Sequence, residues 1–239
     1  MSVSITDPSK KKSWQMFNRI AKTYDSVNLV LSFGLDTSWR KKVGQMLPQK
    51  PNVRLLDLAT GTADQVLSLV RRHKTQIDHA VGMDLSDGML DIGRQKVSAE
   101  QLSDVITLQN GDAVNIPSEA GSFDAVTISF GIRNVPDVPK SLKEMHRVLS
   151  DGGKALILEF SMPSNALIRW GHLFYLRHVL PFVGGLISGD REAYEYLNTS
   201  IEAFPYGEDF CDLLRTAGFS QVQAHPVTFG IATIYEAIR

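Results

Sequence analysis

From Val53 onward the chain alternates short apolar runs with helically spaced segments, and this alternation limits the fold more than any other feature of the sequence. Val53 to Leu58, His79 to Met83, Val105 to Leu108, Phe123 to Ser129 and Lys154 to Phe160 read as buried strands. Between them Ala63 to Arg72, Ser86 to Val97 and Pro139 to Leu149 read as helices, the last stopped by Asp151-Gly152-Gly153. Strands that alternate with helices predict an α/β architecture, a mostly parallel sheet with helices on both faces. The tail departs from this rule. After a helix from Glu208 to Ala217, the runs Val222 to His225 and Thr228 to Ala237 are separated only by Pro226 and Val227. That gap is too short for a crossover, so an antiparallel C-terminal strand pair is expected at one edge.

The flanking segments are organised differently. Trp14, Phe17, Ile20, Ala21 and Tyr24, then Trp39, Val43, Met46 and Leu47 after a Ser-Phe-Gly break, predict an N-terminal helical cap over 13–50. Residues 163–206 form an apolar insertion whose charges fall on no single face, so it reads as packing for the core or as a lid over an apolar substrate. Residues 1–12 read as a disordered tail, and 13–239 as one domain, a size at which a single core can be buried. With 25 basic and 26 acidic side chains the net charge is −1, so nucleic acid is not expected as a partner. The lone Cys211 lies in an apolar-periodic stretch and reads as buried and inert. No apolar h-region opens the chain and no stretch reaches bilayer length, so a cytoplasmic location is expected. No Cys/His cluster has ligand spacing, so no metal is expected.

In a parallel sheet, ligands bind beyond the carboxyl ends of the strands where strand order reverses. The first strand leads into Asp57-Leu58-Ala59-Thr60-Gly61-Thr62-Ala63-Asp64, where Gly61 permits a tight turn and close backbone approach. A carboxylate with one small-residue turn suits a cationic ligand that carries an amino acid. The G-x-G-x-x-G run expected for a pyrophosphate is absent. Asp84 after the second strand can accept both hydroxyls of a ribose, unless it serves instead as an N-cap, a role open to Ser86. Asp112, in Asn110-Gly111-Asp112-Ala113, can accept from an adenine amino group.

This order of parts matches class I S-adenosylmethionine-dependent methyltransferases, whose sheet is Rossmann-like. The likeness then narrows. Phe17-Asn18-Arg19-Ile20-Ala21, Tyr24-Asp25, Asn28, Ser32-Phe33-Gly34 and Trp39-Arg40 resemble the opening signature of the ubiquinone/menaquinone biosynthesis C-methyltransferases, the UbiE/MenG type. Thr127 to Val135, Arg147-Val148-Leu149, Leu158 to Ser161 and Thr228-Phe229-Gly230-Ile231 extend the resemblance over nearly the whole chain from Phe17. Asp36, Val27, Ala63 and Ser150-Asp151 depart from the family pattern, and Ala63 is expected to tighten the cofactor turn.

The resemblance implies C-methylation of a polyprenylated quinol ring in menaquinone or ubiquinone biosynthesis. It implies S-adenosyl-L-methionine as cofactor, with Gly61, Thr62, Asp84, Asp112, Ala113 and Ser129 around it. Arg133, Asn134 and Tyr24 would face the methyl group and acceptor ring, Arg133 lowering the quinol pKa or orienting a water rather than acting as a base. Transient membrane-surface contact follows from the tail of the quinol, with a homodimer or a place in a biosynthetic complex left open. Three rival readings stay open at this point: a methyltransferase for another small apolar acceptor, a nicotinamide-dependent oxidoreductase, and a non-catalytic quinone-binding scaffold.

Overall fold

The computed structural model describes Thr6, Asp7, Lys10 and residues 12–239. Among these residues, strands β1 (Val53–Leu58), β2 (Ile77–Asp84), β3 (Ile106–Asn110), β4 (Phe123–Ser129), β5 (Leu149–Phe160), β6 (Gln221–Val227) and β7 (Ala232–Ile238) form one sheet in the order β3-β2-β1-β4-β5-β7-β6. β1 to β5 run parallel, and β7 lies antiparallel to both β5 and β6. The alternation in the sequence thus becomes the expected α/β sheet with an antiparallel C-terminal pair. β1 sits between β2 and β4, so successive strands are added first on one side and then on the other. This reversal opens a crevice at the carboxyl ends of β1 and β4.

Helices α1 (Ser13–Leu31), α2 (Leu35–Gln45), α3 (Asp64–Arg72), α4 (Asp87–Ala99) and α5 (Val138–Val148) take their places from their apolar spacing. On α5, Val138, Leu142, Met145 and Val148 repeat at helical spacing and are buried in one core with Leu56, Val126, Ile128 and Ile157. On α3, Val66, Leu67, Leu69 and Val70 enter a second core with Leu55, Ala125, Leu156 and Ala80. Each such side chain contributes about 1.5–3 kcal/mol on burial, which fastens both faces of the sheet.

The helix stop expected at Asp151-Gly152-Gly153 lies elsewhere. α5 ends at Val148, and the double glycine falls inside β5, where pairing with β4 jumps from Phe123↔Leu149 to Ala125↔Lys154. Gly152 takes φ +74° in this irregular strand start, a conformation that glycine adopts without a Cβ penalty. Asp124 anchors the same end of the sheet, accepting hydrogen bonds from Arg54 and Ser150, and Lys50 and Arg54 hold its carboxyl well below the usual carboxylate range.

The insertion consists of α6 (Ala166–Phe174), a π-helical turn (Tyr175–Val179), α7 (Leu180–Ser188) and α8 (Arg191–Ala203), and it packs with α1 into a third apolar cluster. α9 (Glu208–Thr216) leads into the terminal strands and buries Cys211. Among the described residues, no helix is long and apolar enough to cross a membrane. Of the tail over 1–12, Thr6 pairs with Asp137 and Asp7 N–H donates to Pro136 O at 2.8 Å, and the remainder, Lys10 and Lys12 aside, lies outside the described residues.

Candidate active site

At the reversal of strand order, a cavity of about 630 Å³ opens over β1, β2 and β4. Gly61, Asp84, Asp112, Ala113, Ser129, Asn134 and Tyr24 all line it. The turn after β1 is built from left-handed residues, Ala59, Gly61 and Ala63 at φ +47°, +55° and +68°. A Cβ added at Gly61 would meet nothing within 4 Å, so the backbone there is open to whatever fills the cavity. Ala63 occupies a conformation suited to glycine, a strain of about 1–2 kcal/mol. Its methyl is fully buried and does not narrow the cavity.

The N-cap question for Asp84 is resolved by its neighbour. Ser86 caps α4, its Oγ accepting from Met89 N–H at 3.3 Å. Asp84 accepts from Gly61 N–H at 2.9 Å and Ser86 N–H at 2.8 Å, and burial pushes its carboxyl upward. A carboxylate has about four lone-pair sites, so capacity remains for a ligand hydroxyl. Asp112 Oδ1 accepts from Val114 N–H at 3.0 Å, which fixes the loop over the cavity. Thr62 does not line this cavity: its hydroxyl donates to Asp25 Oδ1 at 2.6 Å, and it borders a narrow recess beneath the turn. Asp57, buried behind this turn, accepts from Thr60 Oγ1 at 2.7 Å and Thr127 Oγ1 at 2.5 Å, and its burial raises the carboxyl to about 6. An exposed glycine backbone, two carboxylates with spare capacity and a buried acid fit a ligand with a ribose and a cationic amino-acid end.

A second cavity, of about 460 Å³, lies between α1, α2 and the insertion. Phe17, Tyr24, Phe130 and Asn134 line both cavities and so form a shared wall. Most of the second cavity is apolar, with Ile20, Trp39, Phe160, Leu176 and Leu197 among its lining. Arg133 lines it beside the wall, where Nη1 donates to Glu159 Oε1 at 2.7 Å and to Phe130 O at 2.6 Å, with the guanidinium 5.4 Å from the Phe160 ring. Its Nε is buried without a partner, as are His172 Nε2 and Tyr194 Oη in the same cavity wall. Asn134 Oδ1 accepts from Tyr196 Oη at 3.2 Å. Burial raises the Tyr24 phenol, which keeps it protonated and a donor near neutral pH.

Phe130 holds φ +59°, an outlier for a bulky side chain, at the wall shared by the two cavities. Its carbonyl is tied by Arg133 and its N–H donates to Leu158 O at 2.8 Å. The sequence reading missed Glu159 as the partner of Arg133, and Asn18 and Asp25 as fasteners of α1. Asn18 Oδ1 accepts from Ser86 Oγ and Gly88 N–H, and Asp25 pairs with Lys96 as well as Thr62. Asn18 and Asp25 lie within the opening signature, but only the packing of α1 across the turn gives them a role.

The chain matches the model of the ubiE/COQ5 methyltransferase family over residues 5–239. It is 41% identical to a demethylmenaquinone methyltransferase of Bacteroides fragilis, across 94% of this chain and 91% of that one. It is 43% identical to the ubiquinone/menaquinone biosynthesis C-methyltransferase UbiE of Geotalea daltonii, across 94% and 95%. Among solved structures, it resembles an S-adenosylmethionine-dependent methyltransferase from Thermotoga maritima, a possible histamine N-methyltransferase (TM-score 0.63, 19% identity, 94% of this chain and 99% of that chain). It likewise resembles a Haemonchus contortus phosphoethanolamine N-methyltransferase in complex with S-adenosyl-L-methionine (TM-score 0.63, 16% identity, 84% and 52%). At these identities the solved structures speak for the shared class I fold, whereas the extent of the family match goes further: the chain belongs to the ubiE/COQ5 methyltransferase family.

Proposed function

We propose that this chain methylates a ring carbon of a polyprenylated benzoquinol or naphthoquinol, in keeping with relatives named as a demethylmenaquinone methyltransferase and a ubiquinone/menaquinone biosynthesis C-methyltransferase. The observation that carries this reading is the shared wall: a mainly apolar cavity meets the cofactor cavity at Phe17, Tyr24, Phe130 and Asn134, and Arg133, which donates to the carbonyl of Phe130, lines the apolar cavity beside it.

When bound, S-adenosylmethionine supplies an electrophilic methyl group carried on a sulfonium. Gly61, Asp84, Asp112, Ala113 and Ser129 would hold it, with Thr62 bracing the turn through Asp25. The acceptor must be the reduced ring, because a quinol that loses a hydroxyl proton pushes electron density onto the adjacent carbon. Arg133 remains charged and lowers the cost of that proton loss in a poorly solvated cavity, and it is held at its post by Glu159. Tyr24 can donate to a ring oxygen, as can the amide NH₂ of Asn134, whose carbonyl is occupied by Tyr196. Most of the acceleration comes from holding two substrates across one wall, an effect that reaches about 7–11 kcal/mol in well-oriented systems.

The tail of such a quinol resides in a bilayer. The insertion turns Leu176, Tyr194 and Leu197 toward the cavity and leaves Trp170 and Phe182, both 68% exposed, with Leu167 and Leu186 on the outside. Phe33, on the rim of the cavity, is also exposed. An apolar rim continuous with an apolar cavity supports transient contact with a membrane surface. The test is methyl transfer to reduced demethylmenaquinol and to the benzoquinol analogue, each with long and truncated tails. Turnover of at least one reduced quinol is expected, with Trp170→Ala/Phe182→Ala impaired on the long-tailed form alone. Absence of turnover on either ring, with methylation of a different small acceptor, would refute the assignment.

A further inference from the structure

Beneath the turn after β1 the cofactor cavity has a recess of only about 20 Å³, bordered by Arg40, Asp57, Gly61, Gln65 and Ser129. It is too small for a nucleoside or a quinol ring. Gly61 and Ser129 also line the larger cavity, so the recess belongs to the cofactor side. Two nitrogens at its border are buried without partners, Gln65 Nε2 and Arg40 Nε. The Gln65 amide is oriented by its other end: Oε1 accepts from Ser129 Oγ at 3.0 Å and from Arg40 Nη1 at 3.5 Å, which leaves the NH₂ as the unsatisfied half. Gln65 is 2% exposed, so bulk solvent does not reach it. Arg40 is balanced only loosely, with Asp36 3.7 Å from its Nε, and its charge acts on both Asp57 and Tyr24.

Buried donors without acceptors are costly, and a site that keeps two of them, one an amide and one in a guanidinium, suits an anion. The recess is also bordered by an acid, Asp57, within reach of the Arg40 charge. A recess bordered by cationic and amide donors and by a carboxyl matches a zwitterion. We propose that Arg40 and Gln65 seat the α-carboxylate of the methionyl end of S-adenosylmethionine, with α2 thereby contributing to the cofactor site. This rests on S-adenosylmethionine as methyl donor and is independent of the acceptor.

The test is equilibrium binding, by calorimetry, of S-adenosylhomocysteine, decarboxylated S-adenosylmethionine and 5′-methylthioadenosine. Arg40→Met is expected to weaken S-adenosylhomocysteine about 30-fold, the scale of a lost charge-assisted pair of hydrogen bonds, and to leave the two ligands without a carboxylate within about two-fold. Gln65→Glu, which keeps the side-chain volume and sets a like charge against the carboxylate, should give the same pattern if Arg40→Met fails to fold. Equal losses for all three ligands would reduce Arg40 and Gln65 to structural roles. Unchanged S-adenosylhomocysteine affinity with a raised quinol KM would assign Arg40 to the acceptor cavity it also borders. Either outcome overturns the proposal.

Discussion

Replacing Arg133 by alanine should damage the fold as well as the chemistry, and the two effects can be measured apart. Arg133 and Glu159 form an ion pair with side chains 4% and 1% exposed. Removal of one partner from a buried pair costs about 3–5 kcal/mol, because the other charge is left without compensation. Glu159 would retain backbone donors from Phe160 at 2.9 Å and from residue 133 at 3.4 Å, which places the expected loss near the lower end, about 3 kcal/mol. In a domain of this size that corresponds to a fall in Tm of roughly 6–12 °C. The same substitution frees the carbonyl of Phe130, whose left-handed backbone forms the wall between the cavities.

Urea unfolding followed by circular dichroism would read the loss in Arg133→Ala, and Arg133→Ala/Glu159→Gln should recover about 1–2 kcal/mol of it by removing the stranded charge. Methyl transfer would then be assayed in the double variant at a temperature where it is fully folded. Activity that stays low in this recovered protein assigns Arg133 a role in the reaction beyond its structural one. A loss below about 1 kcal/mol for Arg133→Ala, or no recovery in the double variant, would refute the claim that this buried pair supports the wall.

Asp57 gives a pH-dependent prediction. Its carboxyl is raised from the usual 3.8 to about 6 by burial, so the fold favours the neutral form; the resulting stability is fully present below about pH 3.8 and is lost as pH rises through about 6. The linkage amounts to about 3 kcal/mol, so Asp57→Asn without cofactor should gain on the native protein in urea titrations as pH rises from 4 to 7.5, and a pH-independent difference would sink the argument. Two glycines should respond differently to alanine. Gly61→Ala should cost about 1–2 kcal/mol of stability for its φ of +55° and weaken cofactor binding at least about ten-fold as its methyl enters open cavity. Gly131→Ala would set a Cβ 2.5 Å from that of Ala59 and should lose about 1–3 kcal/mol by overpacking; calorimetric binding and thermal melts distinguish the two cases, and equal behaviour would contradict this placement.

The sheet was legible because fully buried parallel strands read as unbroken apolar runs, and Asp84 and Asp112 could be placed because strand ends are where such sheets bind. What escaped was pairing across the chain. Glu159 meets Arg133 from 26 positions away and Gln65 meets Arg40 from 25, and a charged or amide residue within an amphipathic segment carries no mark of the partner that buries it. Thr62 was read from the turn alone, which gives no sign that α1 lies across it and offers Asp25 as partner to its hydroxyl. The double glycine after α5 was read as a helix stop, since Gly-Gly signals an end to a helix without distinguishing an end from an irregular strand start.

The opening signature gains its meaning from the geometry of one helix. At 3.6 residues per turn, positions seven apart return to nearly the same face of α1, and neighbours differ by about 100°. Asn18 and Asp25 are such a pair, and both are fastened to the cofactor side, to the start of α4 and to the turn after β1. Phe17 and Tyr24 are the adjacent pair, one position earlier in each turn, and both stand in the wall between the cavities. Ile20 and Leu31 continue onto the lining of the second cavity. Three adjoining strips of a single helix therefore fasten the turn after β1, divide the two cavities and line the second one. A residue inserted between Asn18 and Asp25 would rotate one fastening against the other, so the spacing of this segment is fixed by the need to keep all three strips in register.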